Sequence, residues 1–238
     1  MYFSDLTMDW RVLWTILTGL EPPVHYFPPA VAAIALFITI FFICFVMHGL
    51  SEIFSPEPIR IYALDFFKTM AFCTYPFGII ILRKYHGNIG YAICVIPLNT
   101  ATALLLGKGE GSPVGNWLNL VKGDQSLIKC VSRIFVQMAG GSAGFRLGKF
   151  LMTFDLHPDF EENLSQTTCT TALNVSVTLG LLIELIGTSW DTWFHSQNIS
   201  NNMVLDKFLK FCSTSLTFCL GNLVKFWNCV PMTQIYIF

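Results

Sequence analysis

Two acidic side chains, Asp65 and Glu184, lie inside apolar runs of the sequence. Each is followed four residues later by a threonine on the same helix face, Thr69 and Thr188. An acid within a bilayer costs about 2.5 kcal/mol or more unless it faces protein and finds a donor. The shared pattern indicates an internal duplication in which each acid holds re-entrant backbone by its amide groups. The alternatives are coincidence, or pairing with a neighbour such as Lys68.

A glycine-rich stretch between these acids predicts a tight loop followed by a short helix over 112–123. Ser112 can cap that helix, Pro113 is favoured at its first position, and Gly123 is suited to end it. A helix of about two turns cannot cross a bilayer. It is therefore either an interfacial loop helix or a half-helix that enters the membrane with its positive N-terminal end at the midplane.

A stripe of small residues follows in the next apolar segment. Gly140, Gly144 and Gly148 recur every four residues, with Gly141 and Gln137 close by. Such a stripe allows another helix to approach closely, whether that helix belongs to the same chain or to a partner.

The remaining reactive side chains form no recognisable catalytic or metal-binding set. The eight cysteines include no Cys-x-x-Cys pair, and His48, His86, His157 and His195 lie near the ends of apolar segments, so we interpret these histidines as interfacial. We predict no catalytic residues, no cofactor and no metal site, and we do not expect an enzyme. An intramembrane enzyme using one of the two acids is a much weaker hypothesis.

The composition predicts a membrane protein. Hydrophobic residues make up 53% of the 238 residues and charged residues only 12%, with a mean hydropathy of +0.57. That is too little polar surface to coat a soluble protein, whose charged fraction is about 25%. The net charge of −1 provides no basic field for nucleic acid, which is excluded as a partner.

Windows of about 20 apolar residues predict five spans and a doubtful sixth. They are residues 28–50, 59–82, 89–106, 127–151, 168–190 and, more weakly, 203–229. Residues 1–20 predict an amphipathic interfacial segment. Lysines concentrate in loops that we assign to the cytoplasmic side, which leaves Asn163 as a candidate glycosylation site on the opposite side. The sequons at Asn174 and Asn198 are interpreted as chance matches.

The order of these features resembles the aquaporin family. An acid and a threonine in one span are followed by a second span, a Ser-Pro half-helix, a span with Gln and Gly-Gly, and a span with the second acid. Residues 72–78, 109–113 and 155–158 resemble the unorthodox aquaporin-11-like branch, nematode members in particular. The likeness covers about residues 59–190. It implies an all-α membrane protein with an aquaporin-like right-handed helical bundle, inverted repeats and one re-entrant half-helix.

The resemblance also assigns roles to individual residues. Ser112, Pro113 and Val114 stand where the family has Asn-Pro-Ala or a variant of it. Asp65 and Glu184 correspond to the acids that hold the re-entrant loops. Gln137, Gly140, Gly141 and Gly144 correspond to the helix after the first box. The family's Asn amide orients a water molecule, so the hydroxyl of Ser112 puts water selectivity in doubt.

The second repeat departs from the family pattern. The chain has no Asn-Pro, and too few residues follow Gly221 for a second half-helix and a last span. We therefore expect an N-terminal segment with an additional helix (1–58), a first repeat (59–151), and an incomplete second repeat with a divergent tail (152–238).

The functional expectation is a channel for water or small neutral solutes such as glycerol and peroxide, in the plasma membrane or an intracellular, endoplasmic reticulum-like membrane. By resemblance it forms a homo-oligomer, a tetramer. The alternative is a non-conducting protein that associates with full-length relatives in a hetero-oligomer through the face of Gly140, Gly144 and Gly148, and modulates them.

Overall fold

The computed structural model describes residues 9–22, 24–165 and 176–223, and over these residues the chain is helical and contains no strand. The helices are α1 (Trp10–Thr18), α2 (Pro29–Phe54), α3 (Glu57–Thr74), α4 (Pro76–Leu105), α5 (Pro113–Val121), α6 (Leu127–Met152), α7 (Pro158–Ser165), α8 (Val177–Ser196) and α9 (Met203–Leu223). The all-helical class predicted from the sequence is confirmed.

Two helical stretches in the described part of the chain are long and apolar enough to cross a membrane. One is α2, with a mean hydropathy of 2.9 in its most apolar window, and the other is the stretch from Glu57 to Leu105, with 1.4. A span of this kind needs about 20 residues. The larger number of spans that we expect from the sequence stays a prediction.

The stretch of α3 and α4 folds back on itself at Gly87. This glycine has φ 60° and ψ −156°, a conformation that side-chain-bearing residues rarely adopt. The hydroxyls of Tyr75, before the reversal, and Thr102, after it, lie 2.8 Å apart, so the two legs are antiparallel. The predicted spans 59–82 and 89–106 correspond to these legs, although the helix runs on through Arg83 and His86 to the reversal.

Helix α6 packs parallel to α3 with almost no space between the two backbones. A Cβ at Gly140 would lie 2.6 Å from the Phe66 carbonyl oxygen, and one at Gly144 would lie 2.7 Å from that of Met70. Only glycine fits at such distances. The glycine stripe is thus covered by α3 of the same chain, which corrects the alternative hypothesis that this face binds a relative of the protein.

The N-terminal helix α1 is held at the end of the bundle where α6 finishes. The backbone N–H of Trp10 donates to Phe154 O at 2.9 Å, and Arg11 forms an ion pair with Asp155 at 2.8 Å. Burial raises the pKa of the Asp155 carboxyl, and Arg11 opposes this effect. The apolar residues Ile16 and Leu17 are exposed, which agrees with the amphipathic segment predicted there.

Helices α8 and α9 form a hairpin that contacts the rest of the bundle through α9. Phe218 of α9 stacks on Tyr91 of α4, with ring centroids 5.3 Å apart. Of the predicted span 168–190, residues 168–175 lie outside the described residues, as does Asn174, and α8 continues beyond this span to Ser196. Asn163 lies within α7 and not in a loop as expected.

Replacing Gly140 with alanine tests the close approach of α3 and α6. The added methyl group would meet the backbone of Phe66, so Gly140→Ala is expected to lower the free energy of unfolding by about 1–3 kcal/mol. Thermal unfolding of the detergent-solubilised protein measures the change.

The matched control is Gly49→Ala in α2, where a Cβ would meet nothing within 4 Å. Because alanine is a better helix former, this control should be neutral or stabilising by up to about 1 kcal/mol. Equal effects of the two substitutions would contradict the close packing described for α3 and α6.

Candidate functional site

The candidate site is the loop that leads into α5, in which five consecutive backbone carbonyls accept hydrogen bonds from side chains. For residues 108–112 in order, the donors are His48 (3.0 Å), Lys68 (2.9 Å), Gln137 (2.9 Å), Thr69 (3.3 Å) and Gln137 again (3.2 Å). These donors lie on α2, α3 and α6. Three helices therefore determine the path of the loop backbone.

A buried ion pair lies beneath this loop. Asp65 is fully buried and accepts from Arg133 Nε at 2.6 Å and from Arg133 Nη2 at 2.9 Å. The same carboxylate accepts from the backbone N–H of Glu110 at 2.6 Å. Arg133 also donates to Gln125 Oε1 at 3.3 Å. Fork-like pairing of this kind satisfies both charges out of contact with water.

Glycine is required where the loop crosses α3. Gly109 has φ 89°, and a Cβ there would lie 3.0 Å from both Asp65 Oδ1 and the Leu64 carbonyl carbon. At Gly111 a Cβ would meet the Phe72 ring at 2.7 Å. The spacing of glycines in the sequence therefore reflects close contact of this loop with α3.

Helix α5 begins and ends close to where the sequence predicts. Pro113 is its first residue, Ser112 is the N-cap, and Gly123 follows the last turn with φ 84°. The Ser112 side chain makes no capping hydrogen bond, which differs from the expectation. Instead, the Glu110 carboxylate folds onto the first turn, where its Oε2 would lie 2.5 Å from a Cβ on Gly115. A negative charge there complements the positive end of the helix.

The two acids of the repeated pattern have different surroundings. Asp65 contacts the loop, and its charge is paired with Arg133, whereas Lys68 donates to Gly109 O. Glu184 is half-buried on α8 and makes no hydrogen bond or ion pair within the described residues. The loop that Glu184 is expected to hold has no counterpart in that part of the chain.

Two site residues were not recognised from the sequence. Arg133 is only 6% exposed and was not proposed as a site residue, and His48, predicted to be interfacial, is buried at 3% exposure. Spacing offered a signal for both. Arg133 precedes Gln137 by one turn on the face that packs on α3, and His48 continues the buried stripe of Ile40 and Cys44.

Other reactive side chains form no comparable cluster in the described chain. No group of three or more His, Cys, Asp or Glu side chains there could hold a metal ion. Its cysteines are free thiols at positions 44, 73, 94, 130, 212 and 219. His157 is buried against Tyr85 and is not interfacial as expected.

Comparison of the chain with models of known protein families, with curated proteins and with solved structures finds no match. The aquaporin resemblance stays a prediction that rests on the residues themselves.

Substitution of Arg133 tests the buried ion pair. Arg133→Gln leaves the Asp65 carboxylate buried without its cationic partner, and we expect the free energy of unfolding to fall by about 3–5 kcal/mol. Chemical denaturation in mild detergent measures this loss.

Arg146→Gln on the exposed side of the same helix is the matched control and should change stability by no more than about 0.5 kcal/mol. Adding Asp65→Asn to Arg133→Gln removes the unpaired charge, so the double variant should recover part of the loss. A double variant as unstable as the sum of the two single variants would contradict the pairing.

Proposed function

We propose that this chain is a multi-pass membrane channel of the aquaporin family that passes water or small neutral solutes such as glycerol and peroxide. The observation that carries the proposal is the loop of residues 108–112, held by an acid and a threonine on α3 and by Gln137 on α6. The resemblance assigns these residue types to the first re-entrant loop. In such a channel α5 is the half-helix.

The chemistry around α5 supports transport of neutral solutes. The carbonyl oxygens of the loop have a second lone pair each, so they can accept from a passing hydroxyl while bonded to their side-chain donors. Ser112 and Val114 occupy the positions of the family's first box, with Pro113 between them. A hydroxyl in place of an amide offers one donor instead of two, which favours a less water-specific channel.

Exposed apolar side chains support a lipid-facing surface. Ile38 and Phe42 of α2 are 63% and 65% exposed, and Leu181 of α8 is 72% exposed. Patches of this kind on an otherwise weakly charged protein fit contact with acyl chains. We propose residence in the plasma membrane or an intracellular, endoplasmic reticulum-like membrane, as a homo-oligomer.

Osmotic shrinkage of proteoliposomes, followed by stopped-flow light scattering, tests the channel. The wild-type chain should increase water permeability above that of protein-free vesicles, with glycerol and peroxide as further solutes. Gly109→Ala should remove most of this increase, because the added Cβ meets Asp65 and the positive φ is strained. Gly49→Ala, with open space around it, should retain it. No permeability from well-folded wild-type protein would refute the proposal.

A second candidate function is that of a non-conducting subunit that associates with channels of the same family and modulates them. The exposed face of α8 favours it, because half-buried Glu184 lies there beside exposed Leu181 and Leu185. Lipid offers no donor to an acid at such a position, whereas a protein partner does. Co-purification with a relative in mild detergent, lost in Glu184→Leu, would support this function, and failure of the wild type to co-purify would exclude it.

A further inference from the structure

We infer that a water molecule is bound inside the protein between the side-chain amides of Asn116 on α5 and Gln137 on α6. This water lies at the corner where the first turn of α5 meets α6, and it is bound whether or not the chain is a channel.

Asn116 is a buried amide that lacks a hydrogen-bond partner. Its side chain is inaccessible to solvent, and neither Oδ1 nor Nδ2 has a partner among the described residues. Its backbone carbonyl, by contrast, accepts from Gln125 Nε2 at 2.5 Å and from Cys130 Sγ at 3.5 Å. These contacts hold the residue against the start of α6 and the loop before it. A buried amide left without any partner is unfavourable and rare in native proteins.

Gln137 leaves a complementary group unpaired. Its Nε2 donates to the carbonyls of Glu110 and Ser112, so the amide is held against the N-cap of α5. Its Oε1 belongs to the same amide, is buried, and has no partner within the described chain. The whole amide of Asn116 and the amide oxygen of Gln137 are therefore both without a partner among the described residues.

The directions of the two helices bring these amides toward each other. Side chains of a helix lean toward its N-terminus, so the Asn116 side chain points from its own turn toward that of Ser112. Gln137 is bonded to Ser112 O. The Asn116 carbonyl lies beside Cys130, two helical turns before Gln137 on α6. From these two contacts and the lean of the side chains we infer that both amides lie at the same place in the α5–α6 contact.

The chemistry of this corner fits water better than an ion. Asn116 supplies a donor and an acceptor and Gln137 supplies an acceptor, which matches a molecule that makes between two and four hydrogen bonds. An anion would face the Glu110 carboxylate, which lies against the first turn of α5. A neutral molecule that both donates and accepts is therefore the expected occupant.

The pair Asn116→Ala and Asn116→Ser provides the test, because the two residues differ by one hydroxyl. If the corner holds water, serine can bond to it, and the thermal unfolding midpoint of Asn116→Ser in detergent should exceed that of Asn116→Ala by about 2–4 °C. If the corner is dry, serine buries an unpaired hydroxyl, and its midpoint should be equal or lower. An equal or lower midpoint overturns the inference.

The same pair at Asn119, less buried and on the same helix, corrects for helix propensity and for bonding of serine to its own backbone. The corrected serine advantage at Asn116 should shrink by at least about half in a Gln137→Met background. An undiminished advantage would exclude Gln137 as the second partner. These experiments measure stability and not transport. A wild-type protein that gives no osmotic permeability would therefore refute the proposed channel without contradicting the bound water.

Discussion

The buried pairing of Asp65 with Arg133 is the interaction on which the organisation of this protein depends. A carboxylate with no exposed surface needs a cation and further donors, and it obtains them from α6 and from the loop before α5. Arg133 reaches it because α6 lies almost against the α3 backbone, and the Glu110 N–H reaches it because Gly109 lets the loop pass close to α3. The glycines of α6 are thus a precondition for the polar contacts and not merely a packing motif.

The loop before α5 inherits its geometry from this arrangement. Five successive backbone carbonyls accept hydrogen bonds from side chains of three helices. The path of the loop is therefore fixed by these side chains and not by backbone–backbone hydrogen bonds within the loop. The loop sequence allows this close approach to α3, because Gly109 and Gly111 have no side chains and leave room for Asp65 and Phe72. The result is a short helix whose N-terminal end is presented by a rigid support and is accompanied by the Glu110 carboxylate.

The same acid-threonine pattern has different surroundings at its two occurrences in the chain. Around Asp65 the second helix and the loop are both present, and the charge is satisfied. Around Glu184 the described chain provides the helix α9 on one side and exposes apolar residues on the other. An acid on such a face can be satisfied by a hydrogen-bond donor from another protein. The different surroundings of Asp65 and Glu184 therefore support different proposals: Asp65 supports the channel, and Glu184 supports the associated subunit.

The sequence by itself determined the helical class, the start of α5 at Pro113, the break between the spans 59–82 and 89–106, and the close approach at the glycine stripe. Each depends on local steric properties of proline and glycine or on the periodicity of apolar residues. The tertiary structure alone decided which helix covers the stripe, that Arg133 and His48 turn inward, and that Lys68 bonds a carbonyl instead of Asp65. The physical reason is that a charged or polar side chain carries no local signal of its partner, since its position depends on groups tens of residues away that compete for the same few donors and acceptors.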